Sequence, residues 1–268
     1  MTPSAHSRQL LAAYDSATRL PLPSAGDAGF DLARAYQVAD AIRSRRIERG
    51  ERHVGYKIGF TNRTIWARYG VFGPIWGPVW DSTLQVLGST RAEVSLAPLV
   101  QPRLEPEIAF GFAKSPHAGM SEAELAGCIE WVAHSLEIVH THFDDWQFQA
   151  ADTVADFALH GRLLVGPRIP LARFAAPGPE LAAVRVELLR DGEIIDTGHG
   201  ANVLGGPLTA LRLWVDAMLA QPHGWPINAG HVVTTGTITD AAPMLPGQEW
   251  STQLSDSRIA GMALRTFA

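Results

Sequence analysis

The segment RLEPEIAF, at residues 103–110, constrains the fold most strongly because its side chains alternate in character. Successive side chains of a β-strand point to opposite faces, so one face of this segment carries Leu, Pro, Ile and Phe. The other face carries Glu105 and Glu107, preceded by Arg103. The segment therefore predicts a strand with one face in a core and two adjacent carboxylates on the other.

Two like charges on one strand face need an offsetting interaction. Strand geometry places Glu105 and Glu107 roughly 7 Å apart at the backbone, and carboxylates that converge to about 5 Å repel by about 3 kcal/mol at an effective dielectric of 20. A proton, Arg103 or a divalent cation would each offset this repulsion, and carboxylate oxygens suit Mg²⁺ or Mn²⁺. A solvated strand face is the alternative. Pro106 donates no ladder hydrogen bond, which predicts a sheet edge or a bulge.

The segment GYKIGF, at residues 55–60, predicts a second strand with a comparable pattern. Lys57 stands between Gly55 and Gly59 on one face of this strand. Because glycine has no side chain, a ligand would have room to approach both the backbone and the ammonium group. The alternative is a lysine at a sheet edge whose ammonium group reaches water.

A third acid, Glu137, lies in the apolar segment HSLEIVH. Burial of an unpaired carboxylate is unfavourable, so this residue predicts a partner. Together with the two strand carboxylates it would form an oxygen-ligand site with positions open for substrate. His134, His140 and His142 lie nearby, but a zinc site needs a further nitrogen or sulfur ligand at useful spacing. We expect these histidines to be structural or to support the site.

Composition excludes several classes of protein. The chain has 268 residues, a net charge of −5 and no basic face typical of a nucleic-acid-binding protein. Its apolar runs fall short of the ~18–20 residues that a membrane span needs, and the N-terminal residues lack the pattern of a signal peptide. The single cysteine, Cys128, excludes an internal disulfide. We expect a cytoplasmic protein with no nucleic-acid or membrane partner.

Hydrophobic periodicity and turn residues predict a helical beginning followed by a strand-rich remainder. The predicted elements are a helix at 5–19, a helix at 32–50 capped by Asp31, a strand at 53–60, a short helix from Asn62, a loop at 71–83, a helix capped by Ser121 and Glu124 that leads into a strand, a hairpin turning at Asp191–Gly192, a helix at 207–219, and strands at 231–239 and 257–267.

The change in character predicts an α/β (α+β) chain with two parts. Residues 1–85 would form a helical N-terminal subdomain that contributes the Lys57 strand. Residues 86–268 would form a strand-rich, metal-binding catalytic domain that holds most of the core.

Five segments resemble, in order and spacing, those of the 2-keto-4-pentenoate hydratase / 4-oxalocrotonate decarboxylase family, within the fumarylacetoacetate hydrolase superfamily. The resemblance covers roughly residues 30–268. It implies a mixed β-roll core of the fumarylacetoacetate hydrolase C-terminal type and a homo-oligomer, with a complex containing a sister hydratase or decarboxylase subunit as a further partner. The segments are GYKIGFT, PRLEPEIAF, LEIVHTHFDDWQFQAADTVADF, RDGEIIDTGHGANVLGGP and AGHVVTTGTIT.

The resemblance also implies a site. Its implied members are Glu105, Glu107 and Glu137 as ligands of Mg²⁺ or Mn²⁺, Lys57 as the active-site cation, Asp81 in a loop that closes over the site, and Gly236 and Thr237 in a loop that contacts the substrate carboxylate. Burial beside a metal would lower the pKa of Lys57.

The sequence departs from the family pattern after DTVAD. Many members read Asn-Ala-Ser-Ser-Gly, whereas this chain reads FALHG, at residues 157–161. Phe157, Leu159 and His160 therefore predict a more apolar pocket and a different substrate tail.

The sequence leaves more than one role open for each of three residues. Either Asp81 or His160 would hold the attacking water, unless Asp81 caps a turn and His160 only ends a helix. Arg103 would pair with Glu105 or contact a substrate carboxylate.

The predicted function is a metal-dependent lyase that adds water to a 2-hydroxy-2,4-dienoate, giving a 4-hydroxy-2-oxo acid in aromatic catabolism. Two alternatives use the same site: a 4-oxalocrotonate-type decarboxylase and a C–C bond hydrolase of the same superfamily. A third alternative is a catalytically silent partner subunit. The three glutamates do not distinguish the hydratase, decarboxylase and hydrolase reactions, because all three would use the metal in the same way. The retained acids and Lys57 argue against a silent relative.

Overall fold

A computed structural model describes residues 1–63, 66–69, 72–221 and 224–268. The α-helices are Pro3–Ser16 (α1), Leu32–Glu48 (α2), Trp66–Tyr69 (α3), Glu122–Ala126 (α4), Ala150–Ala155 (α5), Pro177–Ala183 (α6) and Pro207–Leu219 (α7). The β-strands are His53–Gly59 (β1), Ile75–Trp80 (β2), Leu84–Val86 (β3), Arg91–Ser95 (β4), Arg103–Phe112 (β5), Ile129–Val139 (β6), His160–Val165 (β7), Ile169–Pro170 (β8), Arg185–Arg190 (β9), Glu193–His199 (β10), Val232–Thr234 (β11), Ala242–Pro243 (β12), Glu249–Leu254 (β13) and Ala263–Phe267 (β14).

Two mixed sheets organise the described residues, which confirms the expected combination of helices and sheets. The larger has nine strands in the order β2-β1-β11-β5-β6-β7-β3, with β12 beside β5 and β8 beside β6. The smaller has five strands in the order β10-β9-β13-β14-β4. Strand β1 runs parallel to β11, and β11 runs antiparallel to β5. The strand that carries Lys57 is therefore separated from the glutamate strand β5 by β11 alone.

The apolar face of β5 lies in the core, as its sequence pattern predicts. Leu104, Ile108 and Phe110 are fully buried. Ile108 and Phe110 belong to the main hydrophobic cluster, which α2 and α7 help to form, whereas Leu104 packs in a second cluster with residues of β13 and β14. This packing leaves the opposite face of β5 to carry its acids.

Several local predictions are confirmed. The Asp31 side chain accepts a hydrogen bond from the Arg34 amide (2.9 Å) at the start of α2. Ser121 and Glu124 form a reciprocal capping box at α4. The hairpin β9–β10 turns at Asp191–Gly192, where both residues have positive φ angles. The short helix predicted from Asn62 is described only at Trp66–Tyr69, because residues 64, 65 and 70 lie outside the described ranges.

The predicted loop at 71–83 is wrong over much of its length. Residue 71 lies outside the described ranges, but Ile75–Trp80 forms strand β2, which is buried throughout. Gly77 and Pro78 suggested a loop. Among the described strands, however, β2 is the terminal strand of the larger sheet and pairs with β1 alone, and a proline is tolerated in such an edge strand. A Cβ on Gly77 would lie 2.8 Å from the carbonyl oxygen of Phe157, so this glycine permits close packing.

Pro106 lies at a local edge, although β5 itself is central. On one side it pairs with Leu136 of β6. On the other side β11 pairs with residues 109–111 and β12 with residues 103–104, which leaves a gap opposite Pro106. Its carbonyl accepts a hydrogen bond from the Ile238 amide in this gap (2.9 Å). Because the N and O of one strand residue face the same side, the missing N–H does not disturb the β6 ladder.

The two-part division at residue 85 stays a prediction. Strands β1 and β2 are hydrogen-bonded into the larger sheet with the later strands, and β3 spans the proposed boundary. Among the described residues, no helix combines the length and apolarity that a membrane crossing requires.

Candidate active site

Strand register brings three glutamates together. Glu105 lies directly opposite Glu137 in the β5–β6 ladder, and Glu107 lies two residues further along the same face. One carboxylate oxygen from each residue lies within 4.8 Å of the others. Like charges placed directly across a ladder are destabilising, so this arrangement needs a compensating cation or proton.

Glu107 is fixed at one oxygen and has no partner at the other. Its Oε2 accepts a very short hydrogen bond from the Thr234 hydroxyl and a second from the Gly236 amide (2.9 Å). Its Oε1 is buried and has no hydrogen-bond partner among the described residues. The role of Thr234 was missed in the sequence, although a threonine in the segment TTGTIT, beside the two predicted residues, was a usable signal.

The backbone at Gly236 accepts no larger residue. Gly236 has a φ of +104°, and a Cβ there would lie 1.9 Å from the Thr61 hydroxyl oxygen. The family resemblance implied that Gly236 and Thr237 contact the substrate carboxylate. Both residues line the cavity described below, but the Gly236 amide already donates to Glu107. Its observed role is therefore to hold a carboxylate of the protein.

Glu137 is also held at one oxygen. His160 Nδ1 lies 2.8 Å from Oε1, and Lys57 Nζ lies 3.4 Å from Oε2. Both carboxylate oxygens are buried, and Oε2 makes no hydrogen bond within the described part of the chain. Glu107 and Glu137 thus each present one oxygen that no hydrogen bond occupies.

Lys57 reaches the cluster from β1. Its side chain is 3% exposed, and Nζ donates a hydrogen bond to the Ala158 carbonyl (3.1 Å). The two flanking glycines have different roles. A Cβ on Gly59 would lie 3.5 Å from Lys57 Nζ, so this glycine leaves space beside the ammonium group. A Cβ on Gly55 would lie 1.9 Å from the Val232 carbonyl oxygen, so Gly55 lets β11 approach instead.

Burial and mutual repulsion dominate the electrostatics of the cluster. Burial raises the pKa of Glu105 to about 7, although Lys57 opposes this shift. Burial, followed by the neighbouring glutamates, raises the pKa of Glu107. Burial would also raise the pKa of Glu137, but Lys57 and His160 outweigh it and the pKa is lowered. In the metal-free protein the cluster therefore retains protons that a cation would displace.

The pKa of Lys57 differs from the expectation. Burial lowers it, but the charges of Glu137, Glu105 and Glu107 outweigh burial and the pKa is raised. The expected decrease assumed a bound cation. Neutralisation of the three carboxylates by a divalent ion would remove the cause of the increase.

The donor set fits a hard divalent cation. All three side chains offer carboxylate oxygens, and two of these oxygens are buried and have no hydrogen-bond partner among the described residues. When all three carboxylates are ionised, their negative charge exceeds the single positive charge of Lys57. Mg²⁺, Mn²⁺ and Ca²⁺ prefer such oxygen ligands.

A cavity of about 250 Å³ adjoins this cluster. Its lining combines strand residues with residues from four segments between strands. The lining residues are Lys57, Ile58, Gly59, Phe60, Thr61, Asn62, Ile75, Arg103, Glu105, Val139, Trp146, Phe148, Ala158, Leu159, Gly236, Thr237, Thr239, Asp240 and Ala241. The guanidinium of Arg103 lies 4.1 Å from the ring centroid of Trp146.

The structure does not bring every predicted residue to the cavity. Asp81 accepts hydrogen bonds from the Arg52 amide (3.0 Å) and from Arg52 Nε (2.9 Å), and it is not among the lining residues. The Arg52 amide lowers the pKa of Asp81 and its side chain lowers it further. The observed hydrogen-bond partner of Asp81 is thus Arg52, and both roles suggested by the sequence, closing the site and capping a turn, stay predictions.

Phe157 and His160 also lie outside the cavity lining. Phe157 is buried against Tyr14, with ring centroids 4.8 Å apart, and Arg46 lies over its ring. The residues that reach the cavity from this segment are Ala158 and Leu159. The apolar character expected from FALHG therefore enters the site through Leu159, while a direct substrate contact by Phe157 stays a prediction.

Residues 157–159 have an unusual backbone. Phe157, Ala158 and Leu159 have φ angles of 56°, 52° and 65°, in the left-handed region that non-glycine residues seldom adopt. Such conformations cost on the order of 1–3 kcal/mol each. The strained turn directs the Ala158 carbonyl to Lys57 and places His160 beside Glu137.

Comparison with known proteins agrees with this geometry. No protein-family model matches the chain. A 2-keto-4-pentenoate hydratase from Paraburkholderia phymatum is 34% identical over 82% of this chain and 81% of its own length. A 4-oxalocrotonate decarboxylase from a Pseudomonas species is 31% identical over 83% of this chain and 82% of its own.

The chain belongs to the 2-keto-4-pentenoate hydratase / 4-oxalocrotonate decarboxylase family. Because these relatives are hydratases and decarboxylases, the chain is an enzyme of the lyase class.

Solved structures support the same assignment. The 4-oxalocrotonate decarboxylase of Pseudomonas putida G7, complexed with magnesium and adipate, matches with a TM-score of 0.90 at 25% identity, over 99% of this chain and 97% of that one. A protein from Oleispira antarctica assigned as a fumarylacetoacetate isomerase/hydrolase matches with a TM-score of 0.61 at 17% identity, over 81% and 95% of the two chains. The latter likeness shows the fold of the fumarylacetoacetate hydrolase superfamily alone.

Proposed function

We propose that this chain is a metal-dependent hydratase that adds water to a 2-hydroxy-2,4-dienoate and yields a 4-hydroxy-2-oxo acid in the breakdown of aromatic compounds. The observation that carries the proposal is the convergence of Glu105, Glu107 and Glu137 beside buried Lys57 at the end of a small cavity. The ligand set would hold Mg²⁺ or Mn²⁺. The hydratase relatives favour this reaction.

The bound cation would polarise the C2 oxygen of the substrate and stabilise enolate charge. Lys57 Nζ keeps hydrogen-bonding capacity beyond its bond to the Ala158 carbonyl, so its ammonium group can donate to the same C2 oxygen. Overall, the dienol loses its hydroxyl proton, the terminal carbon C5 gains one, and water adds its hydroxyl to C4 and its proton to C3. The protein's part is to orient the 2-oxo acid end and to hold a proton at Lys57.

The side of the cavity away from Glu107 would receive the substrate tail. In the β5–β6 ladder the pair Arg103–Val139 follows the pair Glu105–Glu137, so these two residues lie one step outward from the glutamates. Trp146, Phe148 and Leu159 complete the wall there. This mainly apolar wall fits a dienoate with a short hydrocarbon tail.

A 4-oxalocrotonate-type decarboxylase is the second candidate, and Arg103 is the observation that favours it. Its substrate carries a second carboxylate, which would need a cation at the outer end of the cavity. Arg103 lies there, stacked on Trp146. The Pseudomonas putida G7 decarboxylase was solved with adipate, a dicarboxylate, in complex.

The test uses the purified protein with Mg²⁺ and two substrates. We expect 2-hydroxypenta-2,4-dienoate to be consumed, seen as loss of its ultraviolet absorbance, with a 4-hydroxy-2-oxo acid appearing in the NMR spectrum. With 4-oxalocrotonate we expect little CO₂ release. Rapid CO₂ release with no hydration would replace the first candidate with the second. Activity on neither substrate, together with no bound metal on titration, would overturn the enzyme assignment.

A further inference from the structure

His160 is a buried residue that the proposed chemistry leaves without a role. It begins strand β7, its side chain is 1% exposed, and it does not line the cavity. The sequence offered it as a holder of the attacking water, and that role stays a prediction. Its two ring nitrogens nevertheless contact two specific partners.

One partner is Glu137. His160 Nδ1 lies 2.8 Å from Glu137 Oε1, while Oε2 is the oxygen that lies near Lys57. The two oxygens of this carboxylate are thus distinguished by their surroundings. An ionised carboxylate can accept hydrogen bonds but cannot donate them, so Nδ1 must carry the hydrogen of this contact.

The other partner is Thr83, in the turn after β2. Its hydroxyl oxygen lies 2.8 Å from His160 Nε2 and accepts a hydrogen bond from the Trp80 amide (3.1 Å). A neutral imidazole has one N–H, already assigned to Nδ1, so Nε2 accepts from the Thr83 hydroxyl. The Thr83 hydroxyl has the Trp80 carbonyl oxygen as its other acceptor (3.1 Å), and in the tautomer that Glu137 requires its hydrogen goes to Nε2 instead.

We propose that His160 is a positioning residue that fixes the orientation of Glu137 for metal binding, with Thr83 as the partner of its other ring nitrogen. The inference rests on the proposed metal site and adds a support that reaches Glu137 from outside the cavity. It parallels Glu107, whose Oε2 is fixed by Thr234 and Gly236 while Oε1 has no partner among the described residues. In both glutamates one oxygen is anchored and the other is presented to the cluster.

The experiment measures Mg²⁺ affinity by isothermal titration calorimetry, without substrate. His160→Leu keeps the bulk of the ring but removes the donor, and we expect 10- to 100-fold weaker binding, the usual effect of losing a group that orients a metal ligand. His160→Asn can place an amide N–H near the position of Nδ1, so we expect it to recover most of the affinity. Thr83→Val should weaken binding several-fold. His140→Asn is the matched control, since His140 is equally buried but contacts the Val100 amide rather than a glutamate.

Two results would overturn the inference: His160→Leu binding Mg²⁺ as tightly as the parent, or His140→Asn losing as much affinity as His160→Leu. If His160→Leu does not fold, the comparison moves to His160→Asn and His160→Gln. The longer Gln amide reaches the position of Nε2 and leaves Glu137 without its donor, so we expect Asn to bind Mg²⁺ more tightly than Gln, and equal affinities would contradict the proposal. A parent protein that binds no Mg²⁺ would instead overturn the metal site itself.

Discussion

At the inner end of the cavity, where Glu105, Glu107 and Glu137 meet, strand register and anchoring hydrogen bonds fix the side chains. At the outer end, the wall comes mostly from residues outside regular strands: Trp146 and Phe148 before α5, and Leu159 in a strained turn. The inner end is built to hold one chemical group, while the outer end can change by substitution without disturbing the sheet. On the proposed function, substitutions at the outer end would change the substrate tail that fits and leave the metal ligands in place.

The largest effect should follow loss of a carboxylate at the inner end. Glu107→Gln keeps the size of the side chain but removes its charge, and we expect loss of Mg²⁺ binding and an activity loss of about 10³-fold, since a catalytic metal contributes several kcal/mol. The fold should survive because the amide relieves charge repulsion. Calorimetry and steady-state kinetics test this, with exposed Glu130→Gln on β6 as the control. Parent-like Mg²⁺ affinity in Glu107→Gln would show that the site is misplaced.

Lys57→Met should come next, with a fall in kcat of about 10²-fold from loss of the donor to the C2 oxygen. Mg²⁺ binding should persist, because Lys57 competes with the cation for Glu137 rather than supporting it. The chain has one other lysine, the exposed Lys114, so Lys114→Met is a matched control. An unchanged kcat in Lys57→Met would remove Lys57 from the mechanism.

Gly236→Ala should destabilise the inner end by about 1–3 kcal/mol, since the added Cβ meets Thr61 at a left-handed backbone position. It should also weaken Mg²⁺ binding, because a shift of this loop moves the amide that holds Glu107. Gly230→Ala is the control: its φ is +85° but a Cβ there has nothing within 4 Å. Equal losses of unfolding free energy and of Mg²⁺ affinity in the two variants would indicate backbone strain alone.

The pH dependence of stability offers a further comparison of metal-free and Mg²⁺-loaded protein. The pKa of Glu105 is about 7 in the folded chain, against a usual value of 4.5, so the folded state holds this proton more tightly than the unfolded state. The unfolding free energy of the metal-free protein should therefore fall as the pH rises from about 4.5 to about 7, on the order of 1–2 kcal/mol after solvent screening. Urea denaturation measures this. Glu105→Gln or saturating Mg²⁺ should flatten the slope, and an unchanged slope in Glu105→Gln would contradict the assignment.

We expect the smallest effect on activity from a substitution at the outer end of the cavity. Leu159→Ser should raise KM for a dienoate with a hydrocarbon tail by about 10-fold. The substitution removes apolar atoms that contact the tail, and such a loss costs about 1–3 kcal/mol of binding free energy. Mg²⁺ affinity should not change. Progress curves with substrates of two tail lengths test this, and an equal rise in KM for both would show that Leu159 does not contact the tail.

The sequence predicted the inner end better than the outer end for a physical reason. Period-two alternation placed Glu105 and Glu107 on one face of β5. The flanking glycines drew attention to Lys57 and the apolar neighbours to Glu137, and the family resemblance then implied their roles. The register of β5 against its neighbours then follows from burial of the apolar face of β5. The anchors Thr234 and His160 depend on contacts between distant segments, which alternation does not encode.

Two segments show the same limit. The segment containing Gly77 and Pro78 suggested a loop, because turn residues suggest loops where neighbouring strands are unknown, yet it pairs with β1 as an edge strand. The sequence also named Phe157 among the residues near the substrate, and that contact stays a prediction. The left-handed turn buries Phe157 and places Leu159 in the cavity lining, and no periodicity predicts three consecutive positive φ angles at non-glycine residues.

The central claim is that the three glutamates hold a divalent ion that in turn binds the 2-oxo acid end of the substrate. Oxalate imitates that end, so the most direct measurement is a calorimetric titration of oxalate into the protein with and without Mg²⁺. We expect oxalate to bind with Mg²⁺ present, to bind at least 100-fold more weakly without it, and to lose this dependence in Glu107→Gln. Equally tight oxalate binding with and without Mg²⁺ would contradict the claim.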